Sequence, residues 1–344
     1  MNNPKYYQRF DIVSMLLSFF VVMIHSSYTA FYSSADNLSN NFSLLWTKSI
    51  PGFAVPMFFI LSGMKFYHNF SMDKCTSKIM RRKSSLLIPY LSWNLISTLW
   101  ALLICSVPFI SKYIKARTVF DSSIIGLAEG LFWFNYIHPL WFLAVLMIFV
   151  LLTPLFYFLI KNKTIGVVSM FFLYLLHALP INYPETHYPI FQIRTLIYSA
   201  DFYLIGAFLG RFYYTELCQN VSRKAVWTAL VSFVIIVIFR YFTEDIHCLF
   251  IPLILIGVYC IWVMTGRLQF KEADWIHMSF FIYPAHTFIL PCINKLIYLL
   301  SPDTSWAAII NTVSGTVISY CLCIAIGLFL KRNVKPIWII INGR

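Results

Sequence analysis

Residues 10–28 read FDIVSMLLSFFVVMIHSSY, an apolar run that is long enough to cross a lipid bilayer. An acid, Asp11, stands at one end of the run, and a histidine, His25, lies well inside it. An ionisable side chain at membrane depth is costly, about 2.5–3.5 kcal/mol for Asp, Lys or Arg on insertion scales. Histidine can also give and take a proton near neutral pH, because its unperturbed pKa is about 6.5. We therefore predict that His25 lies at the centre of the protein's chemistry.

The composition of the chain is that of a membrane protein. The 344 residues are 60% hydrophobic and 11% charged, whereas soluble domains carry about 25% charged residues. The net charge is +13, but no basic stripe with interleaved aromatic residues indicates nucleic-acid binding, and excess Lys and Arg is typical of cytoplasmic loops. The eight cysteines show no CxxC spacing. We expect membrane lipids around the protein, no nucleic-acid partner and no metal site.

Apolar runs of the length that a bilayer requires recur along the chain, and about ten of them predict membrane-spanning helices. Their approximate bounds are 12–32, 50–67, 86–110, 139–160, 164–180, 195–214, 224–242, 247–265, 276–300 and 306–330. Most of the 26 Lys and Arg residues fall on the same predicted side of the membrane as the N-terminus, which the positive-inside rule assigns to the cytoplasm. The prediction is an all-α polytopic bundle, N-in and C-in, that forms a single transmembrane domain over residues 1–344.

Two histidines within predicted helices are candidates for chemistry. His25 is either a catalytic group or a neutral histidine that hydrogen-bonds to a neighbouring helix, and the residue pattern is compatible with both. His286 follows Pro284, which removes a backbone donor and can kink the ninth predicted helix. Helix breaks at membrane depth are tolerated where protein or a cavity surrounds them, so His286 is either a site residue or a packing residue.

Charged residues at the predicted cytoplasmic face form a second group of candidates. Arg9 and Asp11 flank the mouth of the first helix, and they are either site residues or an interfacial pair that reaches to water. The run 78–83, KIMRRK, contains Arg81 and Arg82 and precedes the third helix. It is either a lipid-contacting anchor or an electropositive edge for a phosphorylated donor such as coenzyme A, because Arg binds phosphate well.

Taken together, these stretches resemble the membrane acyltransferase 3 family over nearly the whole chain. The resemblance begins with an acid followed by a run that ends VVxxH, here Asp11 to His25. The other matching motifs are VPMFFILSG (55–63), Arg81–Arg82 with IPY (88–90), PLWFLAVLMIFVLLTPL (139–155), FYLIGAFLG (202–210) and FFIYPAH (280–286). Their order and spacing are those of the family.

The resemblance implies a bacterial inner-membrane enzyme that acylates a hydroxyl of a surface or lipid-linked glycan. The donor would be cytoplasmic acyl-CoA, most often acetyl-CoA, with no bound cofactor, and other polysaccharide-biosynthesis proteins would be its partners. His25 falls on the catalytic position, as general base or acyl carrier, with Asp11 orienting a group at the inner mouth. The residues expected at the donor or acceptor site are Arg9, Arg81, Arg82, Trp141 and His286.

The chain departs from the family pattern at two positions. The family often has an arginine eleven residues before the catalytic histidine, where this chain has Ser14, and a basic residue before the third helix is replaced by Ser85. Two other functions therefore stay open. The protein could be a transporter or flippase for a lipid-linked sugar, or an inactive assembly partner of a glycan-export complex.

Overall fold

The computed structural model of the protein describes residues 4–106, 121, 123–179, 181, 192–243, 246–268, 270 and 273–343. Every regular element within these ranges is a helix. The α-helices are α1 (Pro4–Ile24), α2 (Asn37–Leu44), α3 (Ala54–Tyr67), α4 (Cys75–Arg82), α5 (Ile88–Ser106), α6 (Ile124–Phe132), α7 (Trp141–Leu151), α8 (Thr153–Leu159), α9 (Lys163–Ala178), α10 (Ile193–Phe212), α11 (Tyr214–Leu217), α12 (Arg223–Phe242), α13 (His247–Thr265), α14 (Ser279–Leu300), α15 (Ser305–Asn333) and α16 (Lys335–Asn342).

Seven helical stretches within the described ranges are long and apolar enough to span a membrane, and a bent pair of helices makes an eighth. The seven are Arg9–Phe31, Asn37–Tyr67, Met72–Ser106, Arg223–Phe242, Cys248–Thr265, Ser279–Leu300 and Ser305–Asn333. Each overlaps one of the predicted segments, although Asn37–Tyr67 and Met72–Ser106 begin well before the predicted 50–67 and 86–110, and residues 107–110 lie outside the described ranges. The prediction of an all-α polytopic bundle is confirmed, whereas the count of about ten spans and the N-in orientation stay predictions.

The other three predicted segments are helical but differ from simple spans for identifiable reasons. The segment 139–160 is bent by 71° between α7 and α8, directly before Pro154, whose ring cannot continue a helix from the preceding turn. Helix α9 has 16 residues, fewer than the roughly 20 that a span needs. Helix α10 carries Arg194, Asp201 and Arg211 in its 20 residues, which lowers its apolar character.

The first helix lies at the centre of the bundle, as its mostly buried residues require. It contacts α3, α13, α14 and α15. Tyr320 of α15 donates a hydrogen bond to the Met15 carbonyl of α1 at 2.9 Å, and Phe19 packs edge-on against the same tyrosine ring. The helix that ends directly before His25 is therefore packed against four other helices.

Helices α3 and α10 pack so closely that their backbones touch. A Cβ atom added at Gly206 of α10 would lie 2.1 Å from the Ile60 carbonyl oxygen of α3. Equivalent atoms at Gly63 and Gly210 would lie 2.4 Å from the carbonyl oxygens of Tyr203 and Met64. Small residues permit this approach between membrane helices, so the three glycines set the distance between the two elements.

Contacts between loops join segments that the topology prediction places on one side. The Asp303 carboxylate, between α14 and α15, accepts hydrogen bonds from both the backbone and the hydroxyl of Ser33 and of Ser34, after α1. At the opposite side, Lys331 of α15 contacts Asp274 at 2.6 Å. All eight cysteines are free thiols, and Cys105, Cys248 and Cys321 are exposed.

Candidate functional site

Two histidines that are far apart in sequence meet inside the bundle. His25 lies directly after the last residue of α1, and its backbone N–H bonds the Val22 carbonyl at 3.2 Å. His286 lies inside α14 and is fully buried. The two ring centroids are 5.2 Å apart and the ring planes are inclined by 31°. The structure thus brings together the two histidines that the sequence suggests as site residues.

The hydrogen bond that His286 makes within its own helix fixes the roles of its ring nitrogens. Nδ1 lies 3.1 Å from the backbone carbonyl of Ile282. Because a carbonyl oxygen only accepts hydrogen bonds, Nδ1 must carry the proton, which leaves Nε2 as the acceptor nitrogen of the neutral ring. His286 can therefore take up a proton at Nε2 while its orientation is held by α14.

A cavity of ≈ 160 Å³ is lined by residues of α1, α3, α4, α7, α10, α14 and α16, among them Lys65 and Arg82 near the ends of α3 and α4. Its polar lining consists of Ser14, Ser62, Lys65, Arg82, Ser85, Ser279 and Asn342, with Tyr203 and Tyr283. Phe58, Phe66, Leu86, Phe142, Leu143, Leu146, Val150 and Phe280 complete the wall. Tyr283 lies one helical turn before His286, so the cavity reaches the turn of α14 that precedes this histidine.

The residues of the basic run occupy different positions relative to this cavity. Arg82 lines the cavity, and its guanidinium carbon lies 5.7 Å from the centroid of Phe66, another lining residue. Arg81 is exposed. Its backbone carbonyl accepts hydrogen bonds from the hydroxyls of Ser84 and Ser85. Among the two predicted arginines, Arg82 is the one that a ligand in the cavity would meet.

Trp141 lies beside the cavity. Its ring centroid is 6.2 Å from that of Phe59, and the adjacent Phe142 lines the cavity and lies 4.6 Å from the same phenylalanine. The tyrosine hydroxyl of Tyr283 donates to the carbonyl of Pro139, two residues before Trp141. The start of α7 is thus joined to the turn of α14 that precedes His286.

Arg9 lies outside the cavity and is held by other helices. Its guanidinium donates to the backbone carbonyls of Leu217, at 3.0 Å, and of Trp262. It also stacks over the Trp262 ring, 4.1 Å from the centroid, and its side chain is 7% exposed. Arg9 therefore joins α1 to α11 and α13, and its predicted role in donor binding stays a prediction.

Asp11 is paired at the predicted cytoplasmic face. Its Oδ2 lies 3.4 Å from Nδ1 of His277, an ion pair when the imidazole is protonated. Asp11 and His25 are fourteen residues apart in the sequence, so they are separated by roughly 20 Å at 1.5 Å of rise per residue. Direct contact between the two predicted catalytic residues is excluded, and Asp11 could act only at the inner mouth.

Several cavity residues were not predicted as site residues. Lys65 and Ser62 are three residues apart in α3, and this spacing puts both on one face of a helix. A lysine inside the apolar run AVPMFFILSGMKFY was a usable signal. Ser279 and Asn342 carry no such signal, because serine and asparagine next to apolar residues are common, and only the packing of α14 and α16 brings them to the cavity.

The two serines that depart from the family pattern line this same cavity. Ser14 projects from α1, where its hydroxyl donates to the Phe10 carbonyl at 2.7 Å, and Ser85 comes from the segment between α4 and α5. The cationic side chains of the lining are Lys65 and Arg82. In the part of the chain that the structure describes, no group of three or more His, Cys, Asp or Glu residues could hold a metal ion.

The family comparison agrees with the motifs. The family model described as an acyltransferase domain, acyltransferase 3, matches residues 7–328. Comparisons with curated proteins and with solved structures find no match. The matched range contains most of α1, His25, the cavity-lining parts of α3, α4, α7 and α10, and α14 with His286. Since the match covers far more than half of the chain, the protein belongs to the acyltransferase 3 family of membrane acyltransferases.

Proposed function

We propose that the protein is an O-acyltransferase of the bacterial inner membrane. It moves an acyl group, in the first place acetyl, from cytoplasmic acyl-CoA to a hydroxyl of a surface or lipid-linked glycan. One observation carries the proposal: the ring centroids of His25 and His286 are 5.2 Å apart, and a cavity lined by Lys65 and Arg82 reaches Tyr283, one helical turn before His286. A pair of imidazoles close to a cationic cavity supports a reaction in which the donor comes from the cavity side.

The cavity suits the donor. Lys65 and Arg82 supply positive charge for the phosphates of coenzyme A, since charge-assisted hydrogen bonds to phosphate are among the stronger ones in proteins. The hydroxyls of Ser62 and Ser279 can bond the amide groups of the pantetheine arm. The aromatic and aliphatic wall towards Tyr283 receives the thioester end. The acyl carbonyl then approaches the two imidazole rings from the predicted cytoplasmic side.

In the proposed reaction, a neutral imidazole accepts the proton of the acceptor hydroxyl while the hydroxyl oxygen attacks the thioester carbonyl. The carbon–sulfur bond then breaks, the ester forms, and the coenzyme A thiolate takes the proton back from the imidazolium. His25 performs this role, and His286, with Nε2 as its acceptor nitrogen, lies beside it to share the proton. In the covalent variant, the His25 imidazole attacks the thioester and expels the coenzyme A thiolate, and the acceptor hydroxyl then attacks the acyl-imidazole, forms the ester and restores the imidazole as its proton passes to the thiolate. General-base assistance of this kind contributes about 10²–10⁴-fold to a rate.

The test is acylation by purified protein in lipid nanodiscs, with radiolabelled acetyl-CoA and a mixture of lipid-linked glycans from a strain that lacks the protein. Ester formation is read by mass spectrometry. We expect activity in the wild type and in His68→Ala, a histidine that stacks on Tyr214 outside the cavity. We expect none in His25→Ala. Full activity in His25→Ala would remove the histidine from the reaction.

A second candidate function has one observation in its favour. Ser14 and Ser85 line the same cavity at positions where the family often has basic residues, so the cavity holds less positive charge than the family pattern implies. An inactive relative that assists glycan export would show this loss. If the protein is such a partner, the wild-type protein and His25→Ala would restore the surface glycan of a deletion strain equally well. The purified protein would form no ester.

A further inference from the structure

The turn that carries His25 is bonded to the helix that carries His286. Ser26 follows His25 and is fully buried, and its backbone carbonyl accepts a hydrogen bond from Nδ2 of Asn294 at 3.2 Å. Asn294 lies on α14, eight residues after His286, and is 2% exposed. The carbonyl groups at the end of a helix have no partner within the helix. Asn294 supplies a partner at the point where α1 has ended.

A second asparagine, from a third helix, holds the first. Asn311 of α15 is fully buried. Its Nδ2 donates to the backbone carbonyl of Asn294 at 3.0 Å and to the Tyr32 hydroxyl at 2.9 Å. The Tyr32 hydroxyl in turn lies 2.9 Å from Oγ of Ser301. The chain segment after α1 is therefore bonded to α14 at Ser26 and to α15 at Tyr32.

The orientation of both amide groups follows from their partners. Backbone carbonyls only accept hydrogen bonds, so the atoms that face Ser26 and the Asn294 carbonyl must be the NH₂ groups. Gly315 of α15 makes room for this arrangement, because a Cβ atom there would lie 1.8 Å from Oδ1 of Asn294. Hydrophobic residues of similar size could fill the same space but could not donate to either carbonyl.

We infer that Asn294 and Asn311 are positioning residues for His25. They fix the turn that ends α1 at one place relative to α14, and so they fix the distance between the His25 and His286 rings. The histidine itself lies beyond the regular hydrogen bonding of α1, so its helix alone does not determine where the ring lies. This inference rests on the proposed function for its catalytic meaning, but the hold on the turn can be measured without any substrate.

The experiment compares Asn294→Leu and Asn311→Leu with a matched control, Asn333→Leu. Asn333 makes the same kind of bond, from Nδ2 to the Phe329 carbonyl at 2.9 Å, on an exposed part of α15. The first readout needs no activity. Purified protein in nanodiscs is treated with diethyl pyrocarbonate, and the modification rate of His25 is measured by peptide mass spectrometry relative to His277. We expect the His25 rate to rise several-fold in both test variants and to stay at the wild-type value in the control.

The second readout separates positioning from a general loss of structure. A misplacement of about 1 Å can cost about 10²-fold in rate, so we expect kcat to fall by about 10–100-fold in Asn294→Leu. The KM for acetyl-CoA should stay within about twofold of wild type, because the cavity lining contains neither asparagine. A kcat and a His25 modification rate that both equal the wild-type values would overturn the inference.

Two further outcomes are also decisive. If the wild type forms no ester, the proposed function fails, whereas the modification rate of His25 still tests the hold on the turn. If the leucine variants do not fold, Tyr32→Phe replaces them, since it removes only the hydroxyl that accepts from Asn311. A smaller rise in His25 modification is then expected, and an unchanged rate would count against the inference.

Discussion

His25 is the first residue after α1, and this position matters for its chemistry. A histidine inside a helix has a side-chain direction that the helix determines, whereas a histidine just beyond the helix end depends on tertiary contacts for its placement. These contacts include the His286 ring, with its centroid at 5.2 Å, and the bond from Asn294 to the next residue. Rate effects of single substitutions near His25 should therefore reflect geometry as well as chemistry.

His286→Gln tests the proposed partner of His25. Glutamine keeps a polar group near the position of Nε2 but cannot carry a proton, so we expect kcat to fall by about 10²-fold, the lower end of what general acid–base assistance contributes. The KM for acetyl-CoA should change little, because His286 does not line the cavity. Steady-state kinetics of ester formation measure both constants. An unchanged kcat would make His286 a packing residue.

Lys65→Met tests the cavity as the donor site. The substitution keeps the aliphatic stem and removes the charge. Hydrogen bonds to charged groups contribute about 1.5–3 kcal/mol, so we expect the KM for acetyl-CoA to rise about 10–100-fold with kcat largely retained. Lys161→Met, on the short turn after α8, is the control and should keep the wild-type KM. A larger effect in the control than in Lys65→Met would place the donor elsewhere.

At the scale of residues, the sequence was informative where a side chain contrasts with its surroundings. His25, His286 and Arg82 stand out because each is polar or charged beside apolar runs, and the structure brings the two histidines together. Arg9 stands out equally, but its contacts are with backbone carbonyls of α11 and α13. Long-range helix packing decides which of two such residues faces a cavity. The residues next to each of them in the sequence do not show this packing.

At the scale of elements, the close crossing of α3 and α10 governs the wall of the cavity. Both helices contribute lining residues, Ser62 and Tyr203 among them. Each glycine at this crossing faces the backbone of the other helix, and a backbone cannot move aside as a side chain can. The predicted segments 50–67 and 195–214 contained both helices, yet the sequence alone did not show that they are in contact, because glycines in apolar runs have many explanations.

Gly206→Ala is predicted to destabilise this crossing. The added Cβ would meet the Ile60 carbonyl oxygen at 2.1 Å, so the helices must separate, and overpacking typically costs about 1–3 kcal/mol. Gly166→Ala is the matched control, because the atoms nearest to its Cβ would belong to the Phe208 ring, at 2.5 Å, and a side chain can shift where a backbone cannot. Thermal unfolding in detergent should show a clearly lower midpoint for Gly206→Ala than for Gly166→Ala. Equal midpoints would contradict a backbone-limited crossing.

Helix bounds were predictable to within a few residues for most segments, since apolar length is a direct consequence of bilayer thickness. The first was wrong: the prediction 12–32 put His25 inside the helix, whereas α1 is Pro4–Ile24. The bend of 71° between α7 and α8 was not predicted, although Pro154 lies at it. A proline tells where a helix can break but not whether neighbouring helices make it do so. Here Tyr67 of α3 donates to the Thr153 carbonyl at 3.1 Å, a bond that supports the chain at the break.

At the scale of the whole molecule, one acid, Asp303, joins the segment after α1 to the loop between α14 and α15. Hydrogen bonds from the Ser33 and Ser34 side chains and backbone lower the pKa of the Asp303 carboxyl below its usual value. A lowered pKa in the folded protein means that the ionised carboxylate stabilises the fold above the usual pKa, about 3.9, and that this stabilisation is lost as the pH falls through the lowered value.

Asp303→Asn should therefore lower the unfolding midpoint at pH 7, and the difference from wild type should shrink as the pH falls below about 4. The measurement is thermal unfolding in detergent over a pH series. Asp73→Asn, an exposed acid before α4, is the control and should follow the wild type. A difference between Asp303→Asn and the wild type that stays constant down to pH 3 would rule out the ionised carboxylate as its cause.

Because its cysteines are free thiols, the orientation of the protein in the membrane can be tested by labelling a native cysteine. Cys248 is exposed at the start of α13, on what the N-in prediction makes the periplasmic surface. A bulky maleimide that cannot cross the membrane should then label Cys248 in spheroplasts of cells that express the native protein, without any engineered cysteine. Protection of Cys248 in sealed spheroplasts, followed by labelling after lysis, would invert the whole topology and put the cavity mouth, with Lys65 and Arg82, in the periplasm.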